Sequence, residues 1–448
     1  MNRPPPRRIK GLAKALLAFS LTGLLGGAVL GIAAPQLLGQ DPQGGLRDSS
    51  SIVGLAALPD RLHLGGFGDR GVQAATERDG AAVARARPPA TRGVDADAVT
   101  AALRAADSIV PADARRLGRI ATVAGEIAPK SIVASQHGLF FAQNMMYRHS
   151  ITVYDRSHTL VATLSDTVRL TEFGFEGPEE LLRGAPVEAA FSHDGAHAWV
   201  SNYRMHGPGF EHGGTDTCSP EDGYDDSLLY RIDTATLEID AVVPVGAVPK
   251  YVAVTPDDET VLVTNWCSYD VSIIDAATAT ERHRVPIGAY PRGVAVSADS
   301  STAYIAVMGT RDIVVLDLDD RSMGSLPDIG QGPRHLVLDP DGQALYATLN
   351  IEGVVARIDL DTREVRKVDT GQAPRSMVIS PDGRALYVVN YHSSTLTKVA
   401  TEDMSVLETV EVDPQPIGIT YDDDTHEVWV AHYSGTIAVF ADLPVADG

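Results

Sequence analysis

A β-propeller of seven four-stranded blades is the fold this chain predicts, and three observations predict it. One phrase recurs seven times, marked by Pro129, Pro186, Pro249, Pro291, Pro333, Pro374 and Pro416, at successive gaps of 57, 63, 42, 42, 41 and 42 residues. Eight residues after each proline stands a turn residue: His137, Asp194, Asp257, Asp299, Asp341, Asp382 or Asp424. Three of those aspartates precede glycine, which accepts the positive φ of a tight hairpin. Between the turns run short β-branched and aromatic stretches with no helical periodicity, which excludes a parallel α/β sheet. A repeat of roughly 40–45 residues built from short strands is one propeller blade.

The strands of a repeat follow in order. After Pro291 come apolar runs at 293–296, 303–307 and 313–316, then a weaker one at 324–326, with the Asp299 turn between the first two. The last repeat supplies only three strands and ends soon after 437–440. The missing fourth has a candidate at 118–123, which matches the fourth-strand segment 284–288. The expectation is that the first strand of the domain completes the last blade, which removes two open sheet edges.

Tyr387-Val388-Val389-Asn390, Leu262-Val263-Thr264-Asn265 and Trp199-Val200-Ser201-Asn202 end three second strands. Together with Ser380-Pro381-Asp382-Gly383 and Val271-Ser272-Ile273-Ile274-Asp275, they resemble the YVTN-repeat (YncE-like) seven-bladed propellers over residues 117–442. The signature Asn is absent or displaced at Val307, Leu349 and His432. No strand ends in Trp-Asp and no Gly-Gly pair recurs, so WD40 and kelch repeats fit less well. The resemblance implies an extracytoplasmic propeller and supplies no catalytic residue.

Ahead of the repeats, Arg3, Arg7, Arg8, Lys10 and Lys14 form a basic flank over 1–14, followed by 20 uncharged residues at 15–34. A basic flank before an apolar span reads as a signal anchor or signal peptide over 15–36. Retained, it gives a single-pass anchor with the N-terminus inside; cleaved, it gives a secreted protein. Residues 37–116 are rich in Ala, Gly, Arg, Asp and Pro and read as a disordered low-complexity spacer, with one short helix over 96–106.

The first 118 residues hold 15 Lys/Arg and 10 Asp/Glu, and the remaining 330 hold 22 and 49, a formal −27. So acidic a domain repels duplex nucleic acid and anionic lipid over most of its surface. Single-stranded nucleic acid stays open as a partner, because aromatic side chains can stack bases. The two cysteines, Cys218 and Cys267, lie in a loop of blade two and just after the second strand of blade three. In an exported protein they predict a disulfide worth about 3–4 kcal/mol.

Candidate functional residues follow from the irregularities. The wide gaps place one insertion at about 165–184, between blades one and two. A second, of 21 residues, falls between Asn202 and Asp233, within blade two. Both emerge on the face opposite the Asp-Gly turns, and long loops on a rigid scaffold are where binding sites concentrate. The residues after the marker prolines begin the innermost strands on that face. Five of the seven are basic: Lys130, Lys250, Arg292, Arg334 and Arg375. Such a ring either attracts an anion or pairs with carboxylates of adjacent blades. Tyr203, Trp266, Tyr391, His392 and His432 fall near the same rim, where aromatic rings beside amides suit a base, a sugar or a peptide. In the insertion, His206 and His212 beside acidic residues could hold a metal ion, although their spacing fits no established metal motif.

No Gly-x-Ser-x-Gly elbow, phosphate loop, His-Glu-x-x-His or haem-attachment motif occurs. The expected function is therefore binding, by a monomeric, membrane-tethered propeller. Its ligand is an anionic small molecule or a cell-envelope protein or polymer, and no cofactor is expected. A lactonase-like hydrolase, a metal-assisted oxidoreductase and a purely structural envelope protein are the competing readings.

Overall fold

The computed structural model describes residues 110–177 and 179–444, and these form seven four-stranded antiparallel sheets. The expected signal segment at 15–36, the helix at 96–106 and most of the spacer lie outside the described residues. Each blade's first strand packs on the first strand of the next blade, and that of blade seven packs on blade one, so the ring is closed.

The strand pattern matches the expectation from the repeat. Blade four is built from Pro291–Val296, Thr302–Val307, Ile313–Asp317 and Met323–Leu326, hydrogen-bonded in that order. Burial grades outward from the axis. The second strand of blade five, Ala344–Leu349, is buried at every residue because neighbouring blades cover both of its faces. Its fourth strand, Val365–Asp369, is largely exposed and carries charge. The core is therefore a set of layers between blades. One such layer joins Ala306 and Ile313 of blade four to Leu345, Ala347 and Val354 of blade five.

The aspartate turns are clamped by side chains. Ser192, Thr255, Ser297 and Ser380 each donate a hydroxyl hydrogen bond at 2.6 Å to the aspartate two residues later. A carboxylate that accepts such bonds also fixes the backbone N–H groups of the turn.

The N-terminal strand closes the last blade as expected, pairing Arg115–Ala124 with Thr436–Pro444. Residues 115 and 116 therefore belong to this ladder rather than to the spacer. The segment before it docks on blade six, where the Ala112 N–H donates to Asp382 Oδ2 at 2.8 Å and Arg384 pairs with Asp113 at 2.9 Å. The closure is pinned from inside. Lys398 Nζ, fully buried, donates to Asp442 Oδ1 at 2.5 Å and to the Arg115 carbonyl at 3.0 Å. Tyr387 Oη donates to the other Asp442 oxygen at 2.6 Å.

Both insertions stand on the face opposite the aspartate turns and pack on each other. The first contains the pair Thr167–Val168 and Leu182–Arg183, and an isolated antiparallel bridge joins Arg183 to His206 of the second. Val168, Leu170, Phe175, Leu182 and Met205 share a small core with Leu228, Tyr230 and Val242 of blade two. Cys218 and Cys267 are disulfide-bonded with Cα atoms 5.3 Å apart, tying the second insertion to blade three. Among the described residues no helix is long and apolar enough to cross a membrane.

Candidate functional site

The start of each innermost strand explains how its basic residue is aimed. The residue before the marker proline adopts a left-handed backbone at Val248, Tyr290, Gly332, Ala373 and Gln415, with φ of 58°, 62°, 68°, 55° and 60°. The proline then fixes φ, and the ladder register shifts just after it in blades three to seven. Such a bulge re-aims the side chain that follows. For β-branched Val248 this backbone costs of order 1–3 kcal/mol. Packing holds it in place: a Cβ on Gly214 of the insertion would lie 2.5 Å from Val248 Cγ2 and 2.9 Å from Cys267 Sγ.

The five predicted cations do come together. Lys130, Lys250, Arg334 and Arg375 are all under 9 % exposed. Lys130 of blade one feels the charges of Arg292, Arg334 and Lys250, while Arg292 feels Arg375. The guanidinium Nε of Arg292 is buried without a hydrogen-bond partner. The rim aromatics lie against these cations. Lys250 Nζ sits 4.0 Å from the Tyr203 ring centroid and 5.4 Å from that of Trp266. Arg292 lies 5.3 Å from Trp266, and Arg375 lies 4.0 Å from Tyr391. Arg334 Nη1 meets Met308 Sδ at 3.9 Å instead, since blade four carries no aromatic there. A ring face attracts a cation through its quadrupole and holds the charge without neutralising it.

Glu188 and Asp216 face Lys130, Lys250 and Arg292 from the blade two side. Glu188 follows Val187 in the innermost strand; burial raises its pKa, opposed by the charges of Lys130 and Arg292. Asp216 enters from the disulfide-tied insertion and accepts from Lys250 Nζ at 3.0 Å and from Tyr203 Oη at 3.1 Å. Its backbone carbonyl accepts from Trp266 Nε1 at 3.0 Å. Burial opposes its charge, but Lys250, Tyr203 and Arg292 outweigh that and hold its pKa at about 2. Burial pushes Lys250 down to about 7 despite Asp216, with Arg292 and Arg334 adding to the depression.

One residue deeper, the innermost strands carry Ser131, Glu188, Tyr251, Gly293, His335, Ser376 and Gly418. Glycine is required at two of these because first strands approach closely there. A Cβ on Gly293 would lie 2.8 Å from His335 Cα, and one on Gly418 would lie 2.7 Å from Ser131 Cα. Tyr251 and His335 meet edge to face, 5.3 Å between centroids, in the layer beneath the cations. Burial drives the His335 pKa down to about 3, helped by Arg334, Lys130 and Arg292, so its imidazole is neutral.

The remaining candidates take other places. His392 is exposed and packs on Tyr391 at 5.1 Å. His432 occupies the position of the signature Asn, fully buried, with Nδ1 against the Thr436 carbonyl at 3.2 Å, and does not join the ring. The signature asparagines do the same turn-holding work. Asn390 Nδ2 donates to the Thr370 carbonyl, Thr395 Oγ1 and Thr397 Oγ1, and Asn265 Nδ2 donates to Asp270 and Ser272. His206 lies in the bridge to Arg183, whereas His212 meets the Gly223 carbonyl at 3.2 Å and packs on Tyr224. Among the described residues no three His, Cys, Asp or Glu side chains gather as a metal-ligand set.

Sequence reasoning missed Glu188, His335 and the role of Asp216. The second position after each proline is Ser or Gly in four repeats and Glu188, Tyr251 or His335 in the other three, a signal for the deeper layer that the repeat alignment carries. Nothing periodic marks Asp216.

No family model matches this chain, and no similar protein is found among curated sequences. Among solved structures, a chain of Kuenenia stuttgartiensis hydrazine synthase is similar at a TM-score of 0.56 and 16 % identity, covering 72 % of this chain and 97 % of that one. That likeness is one of fold.

Proposed function

We propose that this propeller is an exported binding module that takes an anionic small molecule at the mouth of its ring, on the face that bears the insertions. The observation that carries this reading is the gathering of five basic side chains from five blades within a domain whose formal charge is −27. Concentrating like charge in a buried setting costs free energy that a bound anion returns. Guanidinium groups add the planar donor geometry that suits carboxylate and phosphate oxygens. Trp266, Tyr203 and Tyr391 keep the cations in place without quenching them. Export is supported by the Cys218–Cys267 disulfide, since such bonds persist in oxidising compartments. The basic flank and apolar segment of the sequence add a membrane anchor to this reading.

The test is calorimetric titration of the purified chain with a panel of small di- and trivalent anions. Arg292→Gln with Arg334→Gln is expected to weaken the best of them at least tenfold. Asp216→Asn is expected to act in the opposite direction by removing a competing carboxylate from Lys250. Unchanged affinity in the double variant would overturn the ring as the site.

A further inference from the structure

We propose that the layer beneath the cations reads hydroxyl groups, so that the anion taken at the mouth is a polyhydroxylated one, a sugar acid or a sugar phosphate. This rests on the anion reading above and adds its ligand class.

The layer is built by the second residue after each marker proline. Glu188, Tyr251 and His335 are half-buried there, whereas Lys250 and Val252 on either side of Tyr251, and Arg334 and Leu336 on either side of His335, are buried. On an innermost strand, the accessible part of such a side chain faces the channel along the axis. Tyr251 of blade three meets His335 of blade five, and Gly293 of the intervening blade four puts no side chain between them. The two rings form a floor under one side of the cationic mouth. Blades six, seven and one carry only Ser376, Gly418 and Ser131 at this level. Ser376 Oγ donates to the Ile417 carbonyl at 2.8 Å, and Ser131 Oγ to that of Val187 at 2.9 Å, so these hydroxyls already have acceptors. The groups left to meet a ligand come from blades two, three and five. Two residues further along, the same strands carry Val133, Ala190, Ala253, Val337 and Val378. That step is about 7 Å, so polar recognition ends one layer below the ring, a depth that suits a single sugar-sized unit.

The chemistry of the floor selects hydroxyls. The Tyr251 hydroxyl has no hydrogen-bond partner among the described residues, and burial with the Glu188 charge keeps it protonated, a donor and an acceptor at once. Glu188 lies beside the Ser131 hydroxyl and the Ala189 N–H, and a carboxylate has lone pairs for about four such bonds. The neutral His335 imidazole meets the Met377 backbone with one nitrogen and keeps the other for a ligand. A hydroxyl both donates and accepts, so it satisfies all three. An ammonium group is disfavoured, because Lys130 and Arg292 bear on Glu188 while Arg334, Lys130 and Arg292 bear on His335. An alkyl group would leave the same polar atoms desolvated and unpaired. Arg292 links the two levels: its buried Nε has no hydrogen-bond partner, and its charge reaches both Glu188 and His335. An anionic group set on Arg292 thus brings the hydroxyls next to it over the floor.

Titration calorimetry of the purified chain decides it. Glucuronate and glucose 6-phosphate are set against cyclohexanecarboxylate and cyclohexylmethyl phosphate, which match them in ring size and anionic group but carry no hydroxyls. Each sugar anion is expected to bind at least tenfold tighter than its match. Tyr251→Phe and Glu188→Gln are each expected to shrink that ratio about three- to tenfold, the range of one hydrogen bond. Tighter binding of glucuronate than of glucose 6-phosphate assigns the carboxylate source, and the reverse assigns the phosphate source. Equal affinities within each matched pair, or a ratio that both variants leave intact, would overturn the hydroxyl reading and leave the anion site standing. No binding of any of the four would overturn both.

Discussion

A buried carboxylate that lacks a full set of partners shows at the residue scale what the insertions cost. Asp166 is 2 % exposed, its Oδ2 lacks a hydrogen-bond partner, and His149 Nδ1 is 3.8 Å away. Burial raises its pKa to about 7, with the Arg183 charge opposing. A carboxyl group raised from 3.8 in this way favours folding most below pH 4, and its contribution is lost as pH rises to 7. Asp166→Asn is therefore expected to leave the melting temperature nearly unchanged at pH 4 and to raise it at pH 8. A melting series that moves equally at both pH values would show that this carboxyl does not titrate in the folded chain. Single residues were unevenly legible in the sequence. The basic ring could be read because each member directly follows a marker proline, so the repeat itself indexes it. Asp166 and Asp216 could not, because an insertion has no register to count against.

Elements carry the next level of organisation, and the closing of the last blade is the clearest case. Lys398 and Asp442 belong to the third strands of blades six and seven, and both side chains are fully buried. Burial lowers the Lys398 pKa, and Asp442 supports its charge. Replacing one member of such a pair strands the other: Lys398→Met is expected to destabilise by about 3–5 kcal/mol, whereas Lys398→Met with Asp442→Leu is expected to recover most of that loss. Denaturant midpoints of the two variants and the parent check this. Strand positions and the closing strand were legible from apolar runs and turn residues, and the disulfide from register and compartment. The Lys398–Asp442 clasp was not legible: blades two and five place Arg231 and Arg357 at the position of Lys398, but these pair with Asp240 and Asp359 of their own blades, so the repeat does not point across to Asp442.

At the scale of the whole molecule, stability rests on completing the circle. Each blade buries its middle strands only against its neighbours, so a gap would expose apolar faces on two blades at once. A chain beginning at residue 125 lacks Arg115–Ala124, and with it the partner of Thr436–Pro444 and an acceptor of Lys398. That chain is expected to melt far below the parent and to self-associate through the uncovered edge, as sedimentation and thermal melts would show; parental melting would mean that three strands suffice for the last blade. The sevenfold architecture was legible throughout because period and strand length are global properties of the sequence. What binds at its centre was not, because side chains from blades far apart in sequence meet there only after the ring has closed.

The pairing of Arg115 with Pro444 also decides which way the molecule can be handled. That pair lies at the Asp-Gly rim, so the polypeptide both arrives and departs on the side remote from Lys250 and Asp216. A sensor chip, a resin or a fused protein attached beside Arg115 or Pro444 would thus sit at the Asp-Gly rim, on the side away from the cationic mouth. Coupling through the insertion side would instead blind it.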